Sequence, residues 1–281
     1  MDTISEQGQR IRANGIDIHY LERGQGQPLV LLHGGLVSSS VRWEGVPVSY
    51  ASHYDAFAER FRVIAPDTRG CAGTAHEGDG AISFALLADD VAALIDALEL
   101  GRPLIAGFSE GAITATVLGM RAPDRVAAIV NHAGHDFLNP RTPSIQIMRR
   151  LLGGSPDAEQ ADPDAAARSF DGSEQMRAMF ALMQLDQDEA RGAGYWRTYL
   201  RLAFDRTTRW PGYGFDDLSK ISAPTLILCG DRDEFCSVEE AVTAYRALPN
   251  GELGILPNTG HLISAAAIAA TIEFLERHAS T

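Results

Sequence analysis

The stretch Leu104-Ile105-Ala106-Gly107-Phe108-Ser109-Glu110-Gly111 constrains this chain more than any other, because an apolar strand runs there straight into a Gly-x-Ser-x-Gly turn. The residues after it read as a helix. Ala112, Ile113, Ala115, Val117 and Leu118 supply its apolar content, and Pro123 lies just past the end, where its missing N–H does no harm. A serine on such a strand-to-helix bend is held strained and exposed at the carboxyl edge of a parallel sheet, and Gly107 and Gly111 remove the Cβ atoms that would clash there. The pattern predicts a nucleophile elbow. A glycine-spaced motif of this length also arises by chance, and a serine before a helix is often only its N-cap. Two further pieces favour the elbow: a Gly-x-x-Asp after a late strand and a Gly-His before the last helix, in the order Ser, Asp, His.

A hydroxyl is a poor nucleophile until a base takes its proton. Of the eight histidines, His261 is best placed, since Asn258-Thr259-Gly260 forms a tight turn after a strand and sets it on a loop above the sheet. The base in turn needs an acceptor that holds its tautomer and stabilises the imidazolium. Gly230-Asp231-Arg232-Asp233 offers two carboxylates; Asp233 is the expected acid and Asp231 a turn or salt-bridge residue, with Asp136 after the preceding strand as the alternative acid. An oxyanion must also meet preorganised donors, which turn amides supply. The N–H of Glu110 and that of Gly35 in His33-Gly34-Gly35 are the expected pair, although those glycines also fit a plain turn.

Along the rest of the chain, Asn14-Gly15 marks a hairpin between residues 9–12 and 16–22, and residues 28–32 and 63–66 read as strands. Residues 37–62, with Trp43, Tyr50, His53, Tyr54 and Phe57, read as a folded loop with one helix. Ser83 caps a helix whose Leu87, Val91, Leu94 and Leu98 share a face. Further strands are expected at 126–130, 225–228 and 253–256, and a closing helix carries Ile268, Ile272 and Leu275. Strands alternating with helices imply an α/β fold with a mainly parallel, doubly wound sheet and helices on both faces. Residues 137–218 contain no strand-like run, so the chain divides into a core of 1–136 and 219–281 and an inserted helical cap of 137–218. There Trp196, Tyr199, Leu200 and Phe204 recur at helical spacing. Part of that stripe, with Met176, Met179 and Met183, is expected to roof an apolar pocket that His33, Gly34, Leu36, Phe108, His132 and His135 line from below.

A length of 281 residues with 45% hydrophobic content suits one such domain with an insertion. The net charge of −13 argues against a nucleic-acid partner, whose phosphates call for clustered Lys and Arg. The first residues lack a basic and an apolar leader region, and no apolar run nears the roughly 20 residues of a membrane span, so a cytoplasmic protein with no membrane partner is expected. It would act as a monomer or homodimer on a small-molecule substrate. Cys71, Cys229 and Cys236 show no paired spacing, and His132 and His135 with Asp136 fall short of a zinc set, so no metal is expected.

Taken together, Leu31-Leu32-His33-Gly34-Gly35, Asp67-Thr68-Arg69-Gly70, Gly107-Phe108-Ser109-Glu110-Gly111, Gly230-Asp231-Arg232-Asp233 and Gly260-His261 resemble the α/β-hydrolase family, in its branch of capped small-molecule serine esterases. The resemblance implies an eight-stranded sheet with a cap after the sixth strand and no cofactor. It also implies Ser109 as nucleophile, Asp233 as acid, His261 as base, and Gly35 and Glu110 as oxyanion-hole amides. Cys71-Ala72-Gly73-Thr74 departs from the family's usual glycine and serine after Arg69-Gly70. The Glu110 side chain either faces the pocket, favouring a cationic or hydroxyl-bearing substituent, or turns to solvent or pairs with a cap arginine. Function then reads as hydrolysis of a carboxylic ester, lactone or thioester of a small, partly apolar molecule through an acyl-enzyme. The alternatives are C–C bond hydrolysis, perhydrolysis or a lyase-type step by the same triad, or a hydrolase-like protein that binds a ligand without turnover.

Overall fold

At the start of the chain, β1 (Gln9–Ala13) and β2 (Ile16–Arg23) form the expected hairpin, with Asn14 and Gly15 both at positive φ in the turn between them. Ile16, Ile18 and Tyr20 point into the core while Asp17 faces water. The computed structural model describes residues 8–40, 50–78, 80–139 and 141–279; Trp43 and the first seven residues lie outside that set. Next come β3 (Pro28–Leu32), α1 (Tyr54–Ala58), β4 (Arg62–Pro66), α2 (Phe84–Ala97), β5 (Leu104–Phe108), α3 (Glu110–Arg121) and β6 (Ala128–His132). Four helices then run without an intervening strand among the described residues: α4 (Pro143–Gly153), α5 (Pro163–Ser169), α6 (Glu174–Arg191) and α7 (Tyr195–Thr207). The chain closes with β7 (Thr225–Gly230), α8 (Val238–Ala247), β8 (Gly251–Leu256) and α9 (Ala265–His278).

The strands form one eight-stranded sheet in the order β1-β2-β4-β3-β5-β6-β7-β8, antiparallel at β1-β2 and β2-β4 and parallel elsewhere. Helices cover both faces. α2 packs on α3, whereas Arg60, just past α1, pairs with Glu276 of α9 at 2.6 Å on the opposite side. Because both faces are covered, β3 and β5 are almost wholly buried and read as continuous apolar runs. A second apolar core, separate from the one around the sheet, forms between β6 and β7 from Leu152, Phe170, Phe180, Trp196, Tyr199 and Phe204.

Three strands are shifted or extended by two residues from their expected spans. The strand expected at 126–130 runs instead from Ala128 to His132, because Pro123–Arg125 turns the chain before it. Its end is polar yet buried: Asn131 donates to Thr116 Oγ1 at 2.8 Å and accepts from the Gly134 amide at 3.0 Å. β7 extends two residues past 228, and β8 starts two before 253, at Gly251 paired with Thr225. α8 was not anticipated, although Ser237-Val238-Glu239-Glu240 carries the Ser-x-x-Glu signature of a helix start, and the Ser237 side chain does accept from the Glu240 amide at 3.2 Å.

The loop after β4 is anchored from within. Arg69 donates through Nε to Asp90 of α2 at 2.8 Å, and its guanidinium also reaches the Asn14 carbonyl at 3.1 Å; both partners of the ion pair are buried. Removing one partner leaves an uncompensated buried charge. Asp90→Ala is therefore expected to cost about 3 kcal/mol in urea unfolding, and a loss under about 1 kcal/mol would mean that the pair behaves as a surface contact.

Candidate active site

β5 ends where α3 begins, and the bend leaves no room for side chains. A Cβ on Gly107 would lie 2.3 Å from the Gly111 carbonyl, and one on Gly111 would lie 2.4 Å from the carbonyl oxygen of Leu32 in β3. Backbone packs on backbone at both positions, which only glycine permits. Ser109, between them, is driven to φ 52° and ψ −117°, a conformation that L residues hold only under constraint. Its amide donates to the His132 carbonyl at 2.8 Å. Its hydroxyl is left pointing above the sheet.

The loops after β7 and β8 bring the expected partners to it. His261 Nε2 lies 3.0 Å from Ser109 Oγ, and His261 Nδ1 lies 2.9 Å and 3.1 Å from the two carboxylate oxygens of Asp233. Asp233 Oδ1 also accepts from the amides of Phe235 and Cys236, at 2.9 and 3.0 Å. Burial alone would raise the Asp233 carboxyl, but the hydrogen bond and charge of His261, with those two amides, hold it below the ordinary carboxylate range. An ionised acceptor at Nδ1 selects the tautomer that presents a bare Nε2 to the serine. The His261 ring sits between Phe108 and Phe235, at 5.0 and 4.7 Å between ring centres, which fixes its plane. Gly230 belongs to the same assembly, since a Cβ there would strike the Thr259 carbonyl oxygen at 1.9 Å.

The Gly35 and Glu110 amides are the expected oxyanion donors, and among the described residues neither gives its hydrogen to another group. Glu110 stands first in α3, where the helix provides no acceptor for its N–H. The Glu110 carboxylate pairs with Arg206 of α7, both side chains being buried. Of the three dispositions open to that side chain, the pairing with an arginine is the one observed. Asp136, the alternative acid, makes no bond to His261; its carboxyl is buried beside Ser144 and Cys236, and burial raises it above the usual range.

A cavity of about 640 Å³ opens over Ser109 and His261, within the size range of small-molecule sites. Gly35, Leu36, Phe108, Glu110, Met176 and Met179 line it, together with Phe137, Ile145 and Met148 from the start of the helical insertion. Several residues expected there stand elsewhere. His33 lies behind the loop, where its Nε2 accepts from the Thr68 amide at 3.0 Å and its Nδ1 lies 2.8 Å from the Gly34 carbonyl, so it braces the loop rather than facing a ligand. Gly34 packs against the Phe108 ring on the inner side. His132 is sealed beneath Phe108 and Tyr50, and burial, then the charge of His261, pushes it down to about 3, so it stays neutral. His135 reaches the Ser237 carbonyl at 3.1 Å, tying the end of β6 to the start of α8. Trp196 and Met183 fill the second core, with Trp196 edge-on to Phe180. Gly34 apart, each is a polar or bulky residue whose side of the backbone was not readable from spacing. A cap arginine was an expected partner for Glu110, but nothing in the sequence singled out Arg206.

Among the described residues, one cluster has metal-ligand chemistry: Asp233, Cys236 and His261. Its donors are already committed, since His261 Nδ1 and Asp233 bond each other and the buried Cys236 thiol is pushed well above its ordinary range, first by burial. Those residues do not fit a metal.

Comparison with known proteins bears on the fold. A family model described as alpha/beta hydrolase fold matches residues 27–265. The chain is similar to a putative non-heme chloroperoxidase from a Synechocystis species, 28% identical over 89% of this chain and 90% of that one. It is similar also to a 2-hydroxy-6-oxononadienedioate/2-hydroxy-6-oxononatrienedioate hydrolase from Burkholderia vietnamiensis, 26% identical over 92% and 87% of the two chains. Among solved structures it shares its fold with a meta-cleavage product hydrolase from Pseudomonas fluorescens, at TM-score 0.72, 21% identity and 97% and 98% coverage. A thermophilic esterase from Thermogutta terrifontis superposes at TM-score 0.69, with 22% identity and 97% and 100% coverage.

The backbone at Ser109 stores strain that can be measured. Ser109→Ala and Ser109→Gly both remove the hydroxyl, but only glycine relaxes the positive φ. The glycine variant is expected to unfold about 1 kcal/mol less readily than the alanine variant, after allowing for glycine's greater freedom in the unfolded chain. Equal midpoints in chemical denaturation would mean that the bend carries no strain.

Proposed function

Since the chain belongs to the alpha/beta hydrolase fold family, we propose that it is a serine hydrolase acting on a carboxylic ester, lactone or thioester of a small, largely apolar, uncharged molecule. One observation carries this reading: Ser109 Oγ, His261 Nε2 and the Asp233 carboxylate form a continuous hydrogen-bonded chain whose serine end opens into the cavity. In the proposed reaction Ser109 Oγ attacks the carbonyl carbon as its proton passes to His261 Nε2, and Asp233 stabilises the resulting imidazolium. The negative oxygen of the tetrahedral intermediate takes hydrogen bonds from the Gly35 and Glu110 amides. His261 then protonates the departing alcohol or thiol, leaving an acyl group on Ser109. Water, giving its proton to the same imidazole, releases the acid. No cofactor enters any of these steps. Residues 137–218 form the cap in this reading, supported by their own apolar core and by the side chains they contribute to the cavity.

The charge around the cavity favours an uncharged substrate. Among the described lining residues Arg209 is the one cation, and it is solvent-exposed and bonded to Asp205 at 3.1 Å. Glu110, Asp136 and Glu234 line the same space, with Glu110 neutralised by Arg206. A dianion would find no free countercharge there. A second reading is supported by the relatives named for hydroxy-oxo dienedioates: such a compound contains no ester, so a hydrolase that acts on it must cleave a carbon–carbon bond. The same serine and imidazole serve that chemistry.

p-Nitrophenyl esters of short and medium neutral acids are expected to give a burst of one nitrophenol per enzyme. Ser109→Ala is expected to lower kcat by at least about 10⁴-fold, and neutral acyl groups to exceed carboxylate-bearing ones by roughly tenfold in kcat/KM, the discrimination that about 1.4 kcal/mol of binding supplies. Faster loss of a hydroxy-oxo dienedioate's absorbance than of any ester would reverse the order of the two readings.

A further inference from the structure

Helix α7 touches both sides of the site where a tetrahedral oxygen would sit. Tyr199 and Arg206, seven residues apart, lie two turns apart on one face of that helix, and both are buried. The Leu36 amide donates to Tyr199 Oη at 2.9 Å, which holds the residue directly after Gly35 in its positive-φ conformation of 67°. Arg206 pairs with the carboxylate of Glu110, the residue directly after Ser109. The second oxygen of that carboxylate is buried, with no hydrogen-bond partner among the described residues, and it would lie 2.6 Å from a Cβ on Gly35. One charged side chain is therefore wedged between the helix and the loop that carries the other amide. A buried ion pair is a poor source of stability, because apolar residues of the same volume serve as well or better. Its place beside the nucleophile needs another account.

We propose that α7 sets the spacing of the oxyanion hole: Arg206 acting through Glu110, and Tyr199 acting through Leu36, are positioning residues for the amides of Glu110 and Gly35. The proposal rests on the reading of Ser109 as nucleophile and of those two amides as its oxyanion donors. It makes the seating of the helical insertion a condition for turnover, since the helix that closes the second apolar core also holds the two donors at their working separation. Substrate binding in the cavity does not require that separation; stabilising the tetrahedral state does.

The test begins with the wild-type enzyme and a fluorophosphonate. Absence of labelling at Ser109 would defeat the nucleophile reading, and the proposal with it. With labelling established and active sites titrated, Tyr199→Phe, the double variant Glu110→Gln/Arg206→Met and the conservative Arg206→Lys are compared on one p-nitrophenyl ester. A boronic acid, which forms a tetrahedral adduct on the serine, reports the hole directly. Removal of a single donor costs about 10²–10³ in kcat, and displacement costs less. Tyr199→Phe and the double variant are expected to lose roughly tenfold in kcat with KM within about twofold, to lose boronate affinity by the same factor, and to keep full fluorophosphonate titres. Arg206→Lys should recover part of the loss. Unchanged kcat and boronate affinity in folded variants would overturn the proposal, as would a kcat loss that only tracks the titre. If the double variant does not fold, Tyr199→Phe decides, since it removes one oxygen and keeps the ring.

Discussion

The structure depends on a close approach of two backbones. Where β5 gives way to α3, the turn from Gly107 to Gly111 lies against the carboxyl end of β3, with no space for a Cβ on either glycine. That contact forces Ser109 into its positive φ, lifts its hydroxyl clear of the sheet, and places the Glu110 amide at an open helix start. It also sets the position of the His33-Gly34-Gly35 loop relative to the elbow, because the loop leaves β3 at the same level. The parallel sheet does the rest, since β7 and β8 end at the same edge and their loops carry Asp233 and His261 across to the serine.

Around this edge the protein separates charged groups by function and not merely by burial. Asp233 is held ionised by His261 and two amides, while His132, whose carbonyl accepts the Ser109 amide, has its ring sealed in an apolar pocket and stays neutral. Glu110 is buried but met by Arg206, and Asp136 is half-buried with its carboxyl pushed toward the protonated form. The net effect is one hydrogen-bonded chain from Asp233 through His261 to Ser109 under a cavity whose walls offer little free charge. The proposed substrate, a carbonyl compound that enters uncharged and becomes charged only as it reacts, is the kind to which fixed dipoles contribute most.

Much of this was legible in the sequence, and the reasons are physical. Elbow glycines, the hairpin Asn14-Gly15 and the apolar runs of β3 and β5 are local necessities: each residue type answers to a constraint within a few positions of itself. The order of Ser109, Asp233 and His261 was readable because the topology of a parallel sheet converts order along the chain into neighbours at one edge. What was not readable depended on side-chain direction. His33, His132 and His135 sit near the site in sequence terms but turn inward or sideways to brace loops, and Trp196 shares a helix with Tyr199 yet serves the second core. Arg206 lies ninety-seven positions beyond Ser109, and no periodicity marks a residue whose partner is a single carboxylate on another element. α8 differs from these, because its start is marked locally by Ser237 and Glu240, while its short apolar content of Val238, Ala241, Val242 and Ala244 gives only a faint helical stripe.

The central claim is that Ser109 is the one hydroxyl among the described residues made nucleophilic by its surroundings. Reaction with a fluorophosphonate, followed by peptide mass mapping, tests it most directly. The account predicts a single adduct per chain on the peptide containing Ser109, formed far more slowly in His261→Ala and absent in Ser109→Ala. Labelling at any other residue, or at Ser109 with a rate unaffected by loss of the imidazole, would contradict it.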